Sequence, residues 1–474
     1  MDDLAQTGDV CVFICAVTGL VLIHSAIVTQ ANAVRNGILC WHHKALRAMG
    51  RRMTSPAFPV TPRPQLSQRS MVGLLAAVMA LQALAIDAML PALPQMAEDL
   101  GAASQNDRQL VIGIYMLCNG IGCLIPGMLA DRYGRRRVAL VALGMYVLFS
   151  LGCAMAMSFN GLLAMRAAQG LCCSAIGVVP MAIVRDCHEG DRMAKLMSLI
   201  SAVFITVPIV APLLGQGIML VADWRWIFVA LAAAGTGVGF WFWRAMPETL
   251  RHEHRQPIAL TRLVSQMREV AFNRASVGYM VASACILAGI FGYVNSAQQL
   301  LGEHFGAGEW FTLVFGASVA AMMLSNIVNS QIVERFGARR VSHAALLVFI
   351  VASSAQVWFA FGAWQSLWWF LPLMATNVML LGFLGANFSA IAMQPFAQMA
   401  GSASSLQMFV RLFGSSALAI LIGQAYDGTS RPLAVALLLS GLFSLGLVLF
   451  SERGKMFRRL NPANSPREII PPRS

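Results

Sequence analysis

The sequence predicts an all-α membrane protein with twelve transmembrane helices in two six-helix bundles, and three observations carry that expectation. Of its 474 residues 58% are hydrophobic and only 12% charged, with a mean hydropathy of +0.67, whereas a soluble domain has about a quarter of its residues charged. From Met71 onward, apolar segments follow one another at close to the ~20 residues needed to cross a bilayer. A short charged motif also occurs twice, after the second segment and again after the eighth.

The segments run at approximately 71–97, 108–130, 137–157, 161–183, 197–220, 224–245, 275–300, 310–333, 341–362, 367–392, 403–424 and 431–450. Basic residues follow alternate segments: Arg132 to Arg137 after the second, Arg185, Arg192 and Lys195 after the fourth, Arg335, Arg339 and Arg340 after the eighth, and Arg453, Lys455, Arg458 and Arg459 at the end. Positive loops mark the cytoplasmic side. The other connections are acidic or uncharged, with Glu98, Asp99 and Asp107 after the first segment and Glu303 and Glu309 after the seventh. The core is thus expected to have both ends in the cytoplasm of a cell with an inner (plasma) membrane. A net charge of +13 would suggest a nucleic-acid partner in a soluble protein; placed in loops between apolar runs it does not. Cys118, Cys123, Cys153, Cys172, Cys173 and Cys285 lie inside apolar runs without metal-ligand spacing and read as small packing residues.

Five regions follow: 1–70 as an amino-terminal extension and leader, 71–245 as one bundle, 246–274 as a basic cytoplasmic linker, 275–450 as the second bundle, and 451–474 as a cytoplasmic tail. Two readings of the extension stay open. Residues 10–29 are long enough for an extra transmembrane helix, with acidic Asp2, Asp3 and Asp9 before it and basic residues from Arg35 to Arg52 after it. Alternatively, translation starts at Met53, which opens a Pro/Ser-rich leader.

The two motifs are Asp131-Arg-Tyr-Gly-Arg-Arg-Arg-Val138 and Glu334-Arg-Phe-Gly-Ala-Arg-Arg-Val341, spaced by 203 residues. An acid, Arg, an aromatic, Gly, a variable position, two arginines and Val recur in order, each copy after the second helix of its own half. Duplication accounts for this.

On these residues the chain resembles the major facilitator superfamily, and in particular its drug:proton antiporter branch of the bicyclomycin and chloramphenicol resistance type. Gly127-x-Leu-Ala-Asp131-Arg132-x-Gly134-Arg-Arg136 matches the superfamily's loop motif, and Glu334, Arg335, Gly337 and Arg339 form its second copy. Leu162-x-x-x-Arg166-x-x-Gln169-Gly170 resembles its fourth-helix motif. Asp87-Ala-Met-Leu-Pro91-Ala-Leu-Pro94, Trp224-Arg-Trp-Ile-Phe228 and Pro247-Glu-Thr-Leu250 resemble the branch. In the fifth helix Pro208-Ile-Val-Ala-Pro212-Leu-Leu-Gly215 is similar to an antiporter motif, with Ala211 and Gln216 at positions that often hold glycine. The resemblance implies alternating access, proton coupling through Arg166, and gating by the loop motif.

Asp87 lies about sixteen residues into the first segment. An ionisable group at that depth is costly unless it faces a cavity or partner, so it is read as a proton switch; as an interfacial cap before Pro91 and Pro94 it would have no such role. Arg166 orients a carboxylate or substrate, or else snorkels to headgroups. Arg411 pairs across the halves, or its helix starts later than residue 403. Gln169, Asn295, Gln298 and Asn387 are the chosen lining of a substrate cavity, with helix-to-helix bonding as the competing role of such amides. The 28 Met and 26 Phe residues suit an adaptable apolar cavity or simple packing. Asp131 is expected to lock the basic ends of the halves together by accepting from backbone N–H groups and arginines, with Gly127 allowing close helix contact. The incomplete second copy places the main latch in the first half.

The expected function is efflux of small lipophilic or amphipathic compounds in exchange for protons, by a monomer in the lipid bilayer that uses the proton gradient and no cofactor. Uptake of a metabolite with protons shares the same architecture, and a non-transporting receptor is a further alternative. No His-Glu-x-x-His pair, Gly-x-Ser-x-Gly elbow or Walker motif is present in the sequence, which argues against an enzyme and against a single-chain ATP-driven pump.

Overall fold

A computed structural model describes residues 67–188, 190–250, 260–307, 311–362 and 365–457. The expected extra helix at 10–29, the alternative start at Met53 and most of the carboxy-terminal tail lie outside the described residues.

No strand occurs among the described residues, as a chain in hydrocarbon requires: a helix satisfies its own backbone, whereas an open sheet edge does not. The helices are α1 (Gln68–Asp87), α2 (Leu93–Asp99), α3 (Leu110–Gly122), α4 (Pro126–Tyr133), α5 (Arg135–Ala154), α6 (Phe159–Cys187), α7 (Gly190–Met219), α8 (Arg225–Ala245), α9 (Leu260–Phe272), α10 (Arg274–Ala297), α11 (Phe311–Phe336), α12 (Ala338–Phe361), α13 (Leu367–Met393), α14 (Ala400–Gln424) and α15 (Arg431–Ser451). Side-chain caps start several of them: Ser158 accepts from Gly161 N, Asn273 from Ala275 N and Ser366 from Trp368 N.

Among the described residues ten helices, some joined to short neighbours, are long and apolar enough to cross a membrane; α3 and α4, bent by 49°, make an eleventh if counted as one span. The bend falls at residues 123–125, just before Pro126, whose ring and missing N–H end the preceding helical run. Pro91 and Pro94 break the first segment in the same way, leaving a 3-10 turn, Leu90–Ala92, between α1 and α2. In α7 the apolar stretch Thr206–Met219 is shorter than a full crossing. The linker expected to be charged coil contains a helix, α9, which packs on α10 and α14.

The packing pattern is duplicated. In the first half α1 touches α6, α7 and α8, α3 touches α6, and α5 touches α6 and α8. In the second half α10 touches α13, α14 and α15, α11 touches α13, and α12 touches α13 and α15. Between the halves α3 packs on α14 and α7 on α11. At the α3–α14 contact a Cβ on Gly120 would lie 2.5 Å from the Phe413 backbone nitrogen, so the approach requires glycine.

The two charged motifs fold alike. Gly134 ends α4 and opens α5 at φ +100, ψ 150; Gly337 ends α11 and opens α12 at φ 85, ψ 146. Each glycine N–H caps the helix before it, reaching Ala130 O at 3.1 Å and Val333 O at 2.8 Å. That backbone region is essentially restricted to glycine, so the turn conformation was copied together with the residues.

Gly134→Ala and Gly337→Ala should each cost about 1–3 kcal/mol, with the larger loss at Gly134, where a Cβ would also run into the Glu248 carboxylate. Gly127→Ala should be near neutral, since its Cβ would meet nothing within 4 Å. Thermal unfolding in detergent measures this; a Gly134→Ala protein melting like Gly127→Ala would refute the turn argument.

Candidate functional site

Asp87 is the last residue of α1, directly before the proline-broken stretch, and is 5% exposed. That burial removes the interfacial-cap reading. No described side chain pairs with it. The next residue, Ala88, presents its carbonyl to α7 at Gly215, where any Cβ would overlap it. Pro208 and Pro212 sit inside the same helix. The antiporter-like stretch therefore forms a wall against the break that carries Asp87.

Arg166 is fully buried and does not snorkel. Its Nε donates to Val111 O of α3 (3.0 Å), Nη2 to Ala85 O of α1 (2.9 Å) and Nη1 to Gln169 Oε1 (2.6 Å), while the Tyr115 ring lies 4.2 Å beneath it. Gln169 in turn donates to Ser150 Oγ at 2.8 Å. This network holds Gln169 at both ends of its amide. Asn387 is engaged too, since its Nδ2 donates to Asn329 Oδ1 (3.0 Å) and ties α13 to α11.

Asn295 behaves differently. It is 2% exposed, yet neither amide atom has a partner, and Gln298 Oε1 is likewise unpaired. Arg411 is the twelfth residue of α14, so the later helix start is wrong: α14 begins at Ala400, earlier than expected. Nor does Arg411 pair across the halves among the described residues. Its Nη2 lies 3.5 Å from where a Cβ would stand on Gly385 of α13.

At the face carrying the motifs, Asp131 pairs with Arg135 at 2.5 Å, and Arg135 Nε reaches Asp186 at 3.0 Å. Glu248 accepts from the backbone N–H of Arg135 (2.8 Å) and Arg136 (3.3 Å), capping α5 where its dipole favours an anion. Arg136 Nη2 donates to Trp243 O at 2.6 Å, while Arg132 lies over the ring of Tyr133. In the second half Arg339 pairs with Glu452 at 2.7 Å, and Glu452 also accepts from Tyr279 Oη at 2.8 Å. Arg335 stacks on Phe336, and the Glu334 side chain lies outside the described residues. Each of these bonds stays within one half, so in this conformation Asp131 organises its own half instead of bridging to the other. Gly127, with open space around it, makes no close helix contact.

The bonds between halves gather at the opposite face. Arg108 makes a bidentate pair with Glu303, both N–O distances 2.8 Å. Gln109 meets Gln299, and Asn106 Nδ2 donates to Tyr426 O at 2.8 Å and to Gln424 O at 3.2 Å. Burial first, then the Glu303 carboxylate, pushes the Tyr426 phenol up to about 12, so it stays protonated and donates to Gln299 O at 3.3 Å. A cavity of about 580 Å3 lined by Asn106, Glu303, Tyr426 and Asp427 lies on the rim of this seal, apart from Asp87 and Asn295.

Sequence reasoning missed Arg108, Gln299, Asp186, Glu248 and Glu452 as functional positions. Two left signals. Arg108 is a cation on an acid-leaning face, and Glu248 and Glu452, spaced by 204 residues, repeat almost in step with the motifs.

Glu303→Gln removes the counter-charge of Arg108 and should loosen the seal. In a cysteine-depleted background, labelling of Asn295→Cys by a reagent added at that face should accelerate about tenfold. An unchanged rate would mean that the pair does not hold the face shut.

The family model described as Major Facilitator Superfamily matches residues 75–419. A bicyclomycin resistance protein homolog of Haemophilus influenzae is 25% identical over 352 residues, covering 73% of this chain and 87% of that protein. Multidrug resistance protein MdtL of Klebsiella pneumoniae is 28% identical over 352 residues, covering 71% and 85%. Among solved structures, the partially occluded inward-open xylose transporter XylE of E. coli superposes with a TM-score of 0.61 at 12% identity, over 81% of this chain and 98% of that one. With ten helices among the described residues long and apolar enough to cross a membrane and a match of this extent, the chain is a multi-pass membrane protein that belongs to the major facilitator superfamily.

Proposed function

We propose that this chain is a twelve-span, two-bundle transporter of the inner (plasma) membrane that exports small lipophilic or amphipathic compounds in exchange for protons. The relatives named for bicyclomycin and multidrug resistance support export, and the duplicated packing supports two six-helix bundles. The observation that carries proton coupling is Asp87: a buried carboxylate without a partner, at a helix break walled by Gly215. Charged, it is costly at that depth; protonated, it is not. With the basic face cytoplasmic and the opposite face sealed by Arg108 and Glu303, Asp87 exchanges its proton with the cytoplasm while substrate enters. Once the seal opens, the carboxylate reloads from outside. Arg166 holds the α1 segment that presents Asp87, through the Ala85 carbonyl. The proton gradient is the energy source, no cofactor takes part, and the working unit is a monomer in lipid.

In everted vesicles with a preformed acid interior, adding a compound to which the chain confers resistance in a pump-deleted host should dissipate the gradient. Asp87→Asn should slow this on the order of tenfold or more, with the protein still folded. A gradient left intact by substrate would refute proton antiport, and dissipation of an oppositely directed gradient on substrate addition would indicate uptake.

A further inference from the structure

Arg166 and Arg411 both lie well inside apolar helices long enough to cross a membrane, and their surroundings are opposite. Arg166 has each of its three nitrogens bonded to Val111, Ala85 or Gln169 and a ring beneath it. Three of its five N–H donors are thereby engaged by the protein. Arg411, at the middle of α14, has no ion pair or hydrogen bond among the described residues. It is partly accessible, in contrast to buried Arg166.

The position of the guanidinium is set by glycine. Its Nη2 faces Gly385, itself buried, where an added side chain would occupy the space in front of the cation. On α13, Gly382 stands against Ser325 of α11, and Phe388 packs edge-on against Tyr279 of α10. The tip of Arg411 is thus directed toward the helix α13, which packs on α10 and α11, and the residue as a whole is partly accessible. Phe409 and Phe413 stack on each other at 5.2 Å on the same helix, and the Phe413 backbone abuts Gly120 of α3. A permanent cation in such a place needs water or an anion. The protein supplies no anion among its described side chains, and a guanidinium presents a planar fork matched to a carboxylate.

We infer that Arg411 is the recognition point for an anionic group on the transported compound, so that the substrates include amphipathic molecules carrying a carboxylate or similar single anion beside an apolar body. The inference deepens the transport reading above and rests on it for the word substrate. It does not depend on the direction of transport or on Asp87. The apolar body contacts the aromatic and methionine side chains of the interior, and the anion gives orientation.

Equilibrium dialysis of the purified full-length chain against 1-naphthaleneacetate and 1-naphthaleneacetamide, one anionic and one neutral but of similar shape, tests it. Wild type should bind the carboxylate about tenfold or more tightly than the amide. Arg411→Gln should abolish that preference while leaving amide binding unchanged, and Arg411→Lys, which keeps the charge without the fork, should retain part of it. Gly385→Val, which fills the space in front of the guanidinium, should weaken carboxylate binding with Arg411 intact, and it serves as the test should Arg411→Gln fail to fold. A wild type with no carboxylate preference, or a preference that survives Arg411→Gln or Gly385→Val, overturns the inference. If Arg411→Gln loses the preference while adding substrate to the wild type leaves the proton gradient intact, anion recognition stands and the proton-antiport reading fails.

Discussion

A guanidinium shut away from water has to be satisfied by the atoms around it, and Arg166 imposes that requirement on the first half of the molecule. Its partners are backbone carbonyls on α1 and α3 and the amide of Gln169 one turn along α6. Backbone acceptors cannot swing away as side chains do, so three helices are held in one register. The phenols of Tyr146 and Tyr115 donate to Leu81 O and Gln82 O and fix the neighbouring turn of α1. Breaking such a buried charge network by removing one partner costs about 3–5 kcal/mol, which makes it the firmest point in the half and a support from which the helix break at Asp87 projects.

Against that background the unsatisfied groups stand out. Asp87, Asn295 and Arg411 are set in the same apolar interior, yet they lack the partners that Arg166, Gln169 and Asn387 have. Placing uncompensated polar groups in hydrocarbon is expensive, and a fold retains them where something transient completes them. A proton for Asp87 and a ligand for Asn295 and Arg411 fit that requirement with the chemistry of each group.

The duplication extends beyond the two loops. At the end of the sixth segment Glu248 folds back onto the motif of the first half, and at the end of the twelfth Glu452 folds back onto the motif of the second. The contacts differ in kind. Glu248 caps a helix by accepting backbone N–H groups, whereas Glu452 holds an arginine side chain and the Tyr279 hydroxyl. Ala338, where the first copy has Arg135, leaves the second half without the bridge to an acid on the preceding helix that Arg135 makes with Asp131. A cap on backbone and a clamp on a side chain loosen under different conditions, so the two halves need not release together.

The sequence by itself determined the helical class, the position of nearly every apolar segment and the existence of a repeat. These follow from local properties: apolar runs long enough to cross lipid, positive charge retained on one side, and glycine at two turns that no other residue adopts cheaply. It also singled out Asp87 and Arg166, because an ionisable residue within an apolar run is conspicuous in one dimension. It did not separate Gln169 and Asn387, whose amides are engaged, from Asn295, and it left Arg411 between a pair across the halves and a later helix start because no motif surrounds it. The tertiary structure alone decided which of these groups is satisfied and which is free, and it brought Arg108 to Glu303 and Arg135 to Glu248 across more than a hundred residues of chain. The reason is physical: whether a buried polar atom is paired depends on what the packing of other helices places within hydrogen-bond reach, and that information is not carried by the residue or by its near neighbours in sequence.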